Sequence, residues 1–209
     1  MNKDLLALLR DPVTRGPLTW NDAAGELSSA GGGRYPVRRG IPRFVLTEDA
    51  GQLQTRDAFG FKWAKRDTYD TPEFRAFAAE WYSRKYGFGD EAAMARWFAG
   101  RGRILDVGCG SAFSSALYLC HPAWTGRAMW VGADISSAVD VAQERLRGVA
   151  NTHFVQADAL QLPFADGAFD TVFSEGVLHH TPSTRAALLS AARVVARGGE
   201  FLFYVYRKK

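Results

Sequence analysis

The sequence has little cysteine, and this limits its chemistry. Of 209 residues only Cys109 and Cys120 carry thiols, and they do not form a C-x-x-C pair. Neither a disulfide framework nor a thiolate zinc site can be built from them. We therefore expect no bound metal and a reducing compartment, with the cytoplasm as the predicted location.

Long apolar runs and a strong charge imbalance are also missing. No apolar run reaches the roughly 20 residues of a membrane span, and the N-terminus is too short and too charged for a secretory signal. No membrane partner is therefore expected. The net charge of +4 comes from 26 basic and 22 acidic residues that are mostly scattered, so charge does not favour nucleic-acid binding.

Three segments differ in composition. Residues 1–47 start with a short helix pattern at 4–9 and continue through turns with strand-like pieces at 35–37 and 41–46, which predicts a small ribbon of hairpins. Residues 48–102 carry aromatic residues at helical spacings and predict a helical linker of two or three helices. One of these helices is expected to begin at Thr71-Pro72-Glu73, with proline at the first helical position.

Residues 103–209 alternate strand and helix patterns, which is typical of βαβ units. Strands are predicted at 103–107, 128–134, 152–156, 169–174 and 200–206. Helices are predicted at 111–120, 136–146 and 183–197, the last closed by Gly198-Gly199 as a C-cap. The predicted fold class is α/β, a Rossmann-like, doubly wound and mostly parallel sheet.

The segment I-L-D-V-G-C-G-S at 104–111 is an apolar strand that ends in Asp106 and enters a glycine turn before a helix. Two further acids are Asp134, which ends the next predicted strand, and Asp158, which follows the predicted strand at 152–156. Carboxyl ends of parallel strands share one edge, so the three carboxylates should converge on one crevice. The alternative for each acid is that it only caps the helix that follows.

These motifs resemble the class I methyltransferase family over roughly the last half of the chain. The resemblance implies S-adenosylmethionine as cofactor, with Asp106 and the glycines at its methionine part, Asp134 at the ribose and Asp158 with Ala159 at the adenine. The predicted cofactor-binding residues in this half are Asp106, Gly108, Cys109, Gly110, Asp134, Ile135, Asp158, Ala159 and Glu175. The family has further strands after the one that corresponds to 200–206, so we expect either that the sequence is a fragment of a longer enzyme, which could itself be inactive, or that a partner chain or a second copy covers the open edge of the sheet.

A dehydrogenase fits less well. Phe113 stands where the dinucleotide fingerprint has its third glycine, and Ala112 where the methyltransferase family often has glycine. An acid before the glycine turn also suits a cationic ligand, whereas dinucleotides bring phosphate to that turn.

The candidate catalytic residues are His179 and His180, which follow the fourth strand and titrate near neutral pH. The alternative is that they only shape the loop before Thr181-Pro182. Upstream, Q-T-x-x-x-F-G-x-x-W at 54–63 resembles a segment that closes over the donor in bacterial methyltransferases, which makes Phe61 and Trp63 further candidates for cofactor binding. The alternative is helix packing on the core.

Residues 1–47 resemble a small zinc-ribbon domain of the methyltransferase-activator type. Its four cysteine positions correspond here to Asp11, Thr14, Ser28 and Gly31, so the ribbon is expected to lack metal and to serve docking or structure. The leading functional hypothesis is methyl transfer to O, N or C of a small-molecule acceptor: a metabolite, lipid or sugar. The rival is a donor-binding but inactive module or a protein-docking subunit.

Overall fold

The structure, a computed structural model, describes residues 1–45 and 71–206. Phe61 and Trp63 lie outside the described residues, as does the boundary predicted near residue 47. Within the described ranges, no helix is both long and apolar enough to cross a bilayer.

A parallel sheet organises the second half of the chain. Its strands are β5 (Arg103–Val107), β6 (Met129–Asp134), β7 (Thr152–Gln156), β8 (Phe169–Glu175) and β9 (Val195–Tyr204), in the order β7-β6-β5-β8-β9. This order confirms the predicted Rossmann-like fold, because the chain first builds outward from β5 to β7 and then returns to the other side of β5 with β8. The strand tips therefore meet beside β5.

Helices cover the sheet. The first described helix, α1 (Lys3–Leu8), precedes the sheet region, and the others are α2 (Pro72–Lys85), α3 (Glu91–Ala99), α4 (Phe113–Leu119), α5 (Ala138–Arg145) and α6 (Thr184–Arg193). The predicted start of α2 is confirmed: the Thr71 hydroxyl accepts the Phe74 amide, and Pro72 follows directly. Ser183 caps α6 in the same way through the Ala186 amide.

The predicted end of the last helix is wrong. Helix α6 stops at Arg193, and Gly198-Gly199 lie inside β9, where the pairing with β8 shifts register between Phe169 and Thr171. Gly198 has φ +76°, and a Cβ on Gly199 would lie 2.6 Å from the Asp170 carbonyl oxygen. The two glycines therefore permit a bulge and a close strand contact, and they do not cap a helix.

The N-terminal residues form an antiparallel sheet, as the hairpin pattern predicted. Its strands are β1 (Leu18–Asn21), β2 (Glu26–Ser29), β3 (Arg34–Arg38) and β4 (Ile41–Pro42). The last is shorter than the predicted 41–46, because the chain leaves its hairpin partner after Arg43, whose amide still donates to the Pro36 carbonyl at 3.0 Å. The Phe44 amide then donates to the Gln156 carbonyl on β7, at 2.8 Å.

The N-terminal sheet and the parallel sheet share one core. Leu5, Leu9 and Leu27 belong to the same buried cluster as Val131 and Phe164. The Arg10 amide also bonds the Pro163 carbonyl, at 2.8 Å. The N-terminal sheet is thus packed against the parallel sheet and pairs along its β7 edge, so it helps to position the loop that follows β7.

Candidate cofactor site

A cavity of about 410 Å³ opens at the carboxyl ends of the parallel strands. Its walls include Asp106 from β5, Asp134 from β6 and Asp158 after β7. The structure thus brings the three acids of the sequence analysis into a single cleft. Of the other predicted cofactor residues, those that also line it are Gly108, Cys109, Ile135, Ala159 and Glu175.

Asp106 is buried at the floor of the cavity. The Ser115 hydroxyl of α4 donates to its carboxylate at 2.5 Å. The pKa of Asp106 is raised to about 7. Burial is the main cause, the Ser115 hydrogen bond opposes it, and the charges of Asp134 and Glu175 add to it. A nearby cation would reverse much of this cost, since it favours the ionised carboxylate.

Asp134 ties the glycine turn to the tip of β6. One carboxylate oxygen accepts the Gly110 amide at 2.9 Å, and the other accepts the amide and hydroxyl of Ser136 at 2.8 and 2.7 Å. Burial raises the pKa of Asp134, although these hydrogen bonds oppose the shift. Gly110 is not among the residues that line the cavity, and its contact with the site is this bond to Asp134.

Asp158 both lines the cavity and caps a short 3-10 turn, Ala159–Gln161, by accepting the Leu160 amide at 2.9 Å. The capping alternative is therefore realised here together with exposure to the cavity. Capping fixes the carboxylate at the rim, beside Ala159, without removing it from the cleft.

Gly108 has a reason to be glycine that the sequence did not reveal. Its φ is +78°, and a Cβ there would lie 2.3 Å from a methyl carbon of Val177. Val177 belongs to the loop after β8 and lines the cavity as well. The close neighbour of Gly108 is therefore this side chain, and its packing shapes the floor of the site.

Glu175, at the end of β8, is held from α2. Lys85 forms an ion pair with one carboxylate oxygen, and the Tyr86 hydroxyl donates to the other at 2.5 Å. The Lys85 ammonium also lies over the rings of Trp81 and Tyr204, at 3.8 and 3.4 Å from their centroids. Burial lowers the pKa of Lys85, while its bond with Glu175 opposes this.

The two histidines are placed differently. His180 lines the cavity, whereas His179 does not. The His179 ring lies between His180 and Tyr206, with centroids 4.1 and 4.2 Å apart, and neither of its nitrogens hydrogen-bonds within the described ranges. Burial lowers the pKa of His179, and the charge of the neighbouring His180 lowers it too, by a smaller amount.

The remaining wall is aromatic, and sequence reasoning did not assign it to the site. Helix α2 contributes Phe74, Trp81 and Tyr82, and Pro182 and Tyr206 come from beyond β8 and β9. The spacing of the aromatic residues predicted a helix, but it could not show which face meets the strand tips. Burial raises the pKa of Tyr82 to about 12, so its hydroxyl, bonded to Ser114 at 3.2 Å, stays protonated.

The charge of the cavity wall is acidic. Four carboxylates line it, and among the described residues that do so there is neither lysine nor arginine. Among all the residues that the structure describes, no group of three or more His, Cys, Asp or Glu side chains could hold a metal ion. The wall is therefore suited to a cationic organic ligand and poorly suited to a pyrophosphate.

Comparison with known proteins agrees with this chemistry. Residues 105–203 match the family described as methyltransferase domain. The malonyl-[acyl-carrier protein] O-methyltransferase of Legionella pneumophila is 37% identical over 48% of this chain and 35% of its own length. The fatty-acid O-methyltransferase of Mycolicibacterium smegmatis is 39% identical, over 48% and 36%. A ubiquinone/menaquinone biosynthesis C-methyltransferase, UbiE of Pseudomonas putida, is 39% identical, over 51% and 42%. The chain thus spans about two fifths or less of these relatives.

Solved structures share the fold. The N-methyltransferase NodS from Bradyrhizobium japonicum, in complex with S-adenosyl-L-homocysteine, aligns with a TM-score of 0.53 at 20% identity, covering 71% of each chain. The geranyl diphosphate C-methyltransferase from Streptomyces coelicolor aligns with a TM-score of 0.53 at 14% identity, covering 77% of this chain and 67% of that one. Residues 105–203 are therefore similar in sequence to a methyltransferase domain, and the described chain shares the Rossmann-like fold of these solved methyltransferases.

Proposed function

We propose that the protein of this chain binds S-adenosylmethionine in the described cavity and transfers its methyl group to a small-molecule acceptor. The observation that carries the proposal is that Asp106, Asp134 and Asp158, from three successive strand tips, line one cleft. The acidic wall fits the ammonium and sulfonium charges of this cofactor. The O- and C-methyltransferase relatives support the reaction class.

The three acids would hold different parts of the cofactor. Asp106 would face the methionine part, Asp134 the ribose hydroxyls, and Asp158 with Ala159 the adenine. When bound, the cofactor supplies a methyl group already activated by its sulfonium, so the chain's own residues have mainly to position the acceptor. Cys109, Ile135 and Glu175 complete the proposed cofactor set.

His180 is the proposed general base, because it lines the cavity at its mouth and an imidazole can take a proton near neutral pH. His179 would act on it only by packing, since the two rings are 4.1 Å apart. Trp63 and Phe61 remain proposed cofactor contacts that lie outside the described residues.

We propose that residues 1–47 are a degenerate ribbon with a structural or docking role. At the first of its four cysteine positions, Asp11 is buried and accepts the Val13 and Thr14 amides at 2.8 and 2.9 Å. Burial alone would raise the pKa of Asp11. Hydrogen bonds from Ser29, from these two amides and from Tyr35 together lower it by more, so the net shift of the pKa is downward. The carboxylate thus satisfies a turn that a thiolate and metal would otherwise hold.

The other finer proposals concern location and assembly. The cytoplasm remains the proposed location. Strand β9 pairs with β8 alone among the described strands. A partner chain or a second copy that pairs with its other edge is therefore also a proposal.

Calorimetry with S-adenosylmethionine, S-adenosylhomocysteine and NADH tests the proposal. The first two should bind and NADH should not. Asp134→Ala should weaken binding about 10- to 100-fold, since a hydrogen bond to a charged group contributes about 1.5–3 kcal/mol. Asp22→Ala, an acid of the N-terminal sheet outside the cavity, is the control. Binding of NADH alone, or an unchanged affinity in Asp134→Ala, would contradict the assignment.

A second test separates an enzyme from an inactive donor-binding module. Production of S-adenosylhomocysteine with an acceptor panel of alcohols, phenols, amines and fatty acids is the expected result for an enzyme. Donor binding without turnover, on the longest available form of the protein, would favour the module.

A further inference from the structure

The cavity has two chemically different sides. Asp134 and Asp158 lie toward β6 and β7, on one side of β5. The aromatic wall lies on the other side, where Trp81 of α2 packs edge-on against Tyr204 of β9 with ring centroids 6.0 Å apart. Of the described residues in the proposed cofactor set, Asp134, Ile135, Asp158 and Ala159 lie at the ends of β6 and β7. Glu175 ends β8, and its partner Lys85 lies over Trp81 and Tyr204. Most of the aromatic wall is therefore left for the acceptor.

The aromatic side continues out of the cavity onto the surface. Phe74 lines the cavity, packs on Phe113 at 5.6 Å and meets Phe77 at 6.4 Å. Trp81 and Tyr206 line the cavity but are 41% and 60% exposed, and Phe77, outside it, is 61% exposed. Soluble proteins seldom leave several large aromatic side chains open together unless the surface binds something. We name Phe74, Phe77, Trp81 and Tyr206 the aromatic rim.

The charge of the cavity wall limits the class of ligand that can bind beside the aromatic rim. Lysine and arginine are absent from the described cavity wall, and the ammonium of Lys85 behind it is engaged by Glu175 and two rings. A phosphorylated or sulfated group entering the cavity would meet four carboxylates and, on the wall that the described residues form, neither lysine nor arginine. An uncharged reacting group fits the acidic cavity, and an apolar body attached to it fits the aromatic rim.

Resting on the proposed function, we infer that the acceptor is an amphipathic small molecule whose neutral nucleophilic group enters the cavity while an apolar tail lies along the aromatic rim. The tail would pass from Trp81 and Tyr206 toward Phe74 and Phe77. Continuity of the rim with the cavity favours this occupant over a separate protein partner.

A length series of 4-alkylphenols tests the inference. Methyl-, butyl- and octylphenol are titrated calorimetrically, with and without S-adenosylhomocysteine, so that chain length is scored whether or not the cofactor product binds. Full burial of a methylene would raise affinity about fourfold. On this half-open surface we expect about twofold per methylene.

Two matched variants locate the tail. Phe77→Ser should weaken octylphenol binding about three- to tenfold and leave methylphenol unchanged, because Phe77 lies outside the cavity. Leu189→Ser removes a comparably exposed apolar side chain (52%) of α6 that does not line the cavity, and it should change neither.

Three outcomes would overturn the inference. Phenol affinity independent of chain length would do so, and if S-adenosylhomocysteine still bound, the proposed function would stand without it. Equal effects of Phe77→Ser and Leu189→Ser would remove the rim from the binding site. A change in sedimentation coefficient, rather than in phenol affinity, for Phe77→Ser would assign the surface to a second copy of the chain.

Discussion

Replacing Asp106 by asparagine should make the ligand-free protein more stable and at the same time a weaker binder. The buried carboxylate has a pKa of about 7 against an ordinary 3.8, so its ionised form is disfavoured by about 4 kcal/mol in the fold. Asparagine has nearly the same shape, carries no charge and can still accept the Ser115 hydroxyl. Above pH 7 the variant therefore avoids a cost that the wild-type protein carries.

The sign of the pH dependence follows from linkage. Between pH 4 and 7 the unfolded chain has an ionised Asp106 while the native state keeps the proton, so this group's contribution to stability falls as pH rises and levels off above 7. The advantage of Asp106→Asn should grow by about 4 kcal/mol between pH 4 and 8. For a chain of this length that corresponds to a difference in Tm on the order of 10 °C.

Thermal unfolding at pH 5 and pH 8, with calorimetry of S-adenosylmethionine at pH 8, measures both effects. The variant should gain Tm mainly at pH 8 and lose donor affinity about 10- to 100-fold, because it lacks the charge that we propose faces the methionine part of the donor. Ser115→Ala should raise the pKa of Asp106 and move the stability change to higher pH. An equal Tm difference at both pH values would refute the reasoning.

Other expectations follow from single contacts. Gly108→Ala should lower the free energy of unfolding by about 3 kcal/mol or more, because it adds overpacking to the strain of a positive φ. Gly25→Ala should lower it by about 1 kcal/mol, since φ is +64° there but an added Cβ would have no atom within 4 Å. Urea unfolding compares the two variants, and equal losses would count against the Val177 contact. Lys85→Met should lower the free energy of unfolding by about 3 kcal/mol because it leaves the Glu175 carboxylate without its cation. The double variant Lys85→Met/Glu175→Gln should recover much of this loss. If the losses of the two single variants simply added in the double variant, the pair would not be coupled. Donor affinity of the wild-type protein should fall about tenfold per pH unit below 7 as Asp106 takes up a proton, and a flat Kd from pH 5 to 8 would argue against that carboxylate facing a cation.

The parallel sheet could be predicted because each of its strands is a short apolar run bounded by turn residues. The bounds of β5 and β7 agree with the prediction, and β6 and β8 differ by one residue. The end of α6 could not be predicted in this way. A pair of glycines after a helical pattern signals a C-cap locally, and only the neighbouring β8 backbone, which approaches Gly199 closely, turns it into a strand bulge.

The acids of the cavity were accessible to sequence reasoning because strand order alone brings carboxyl tips together. The aromatic wall and the Lys85 contact with Glu175 were not, since they depend on how α2 lies across the ends of β8 and β9. Similarly, adjacency in sequence suggested equal roles for His179 and His180. The 3-10 turn Leu178–His180 instead brings only the second to the cavity wall.

The hydrogen bond from Phe44 to Gln156 has a consequence for residues 105–203 when they are separated from the N-terminal sheet. Gln156 stands two residues before Asp158, and Arg43 also reaches its side chain at 3.2 Å and Asp140 of α5 at 2.7 Å. Cutting the chain after the N-terminal sheet would release both anchors and uncover the edge of β7 next to Asp158, the proposed adenine contact. The first 45 residues therefore act as a brace for the ligand cleft, and a trimmed protein should be judged by its nucleoside affinity as well as by its solubility.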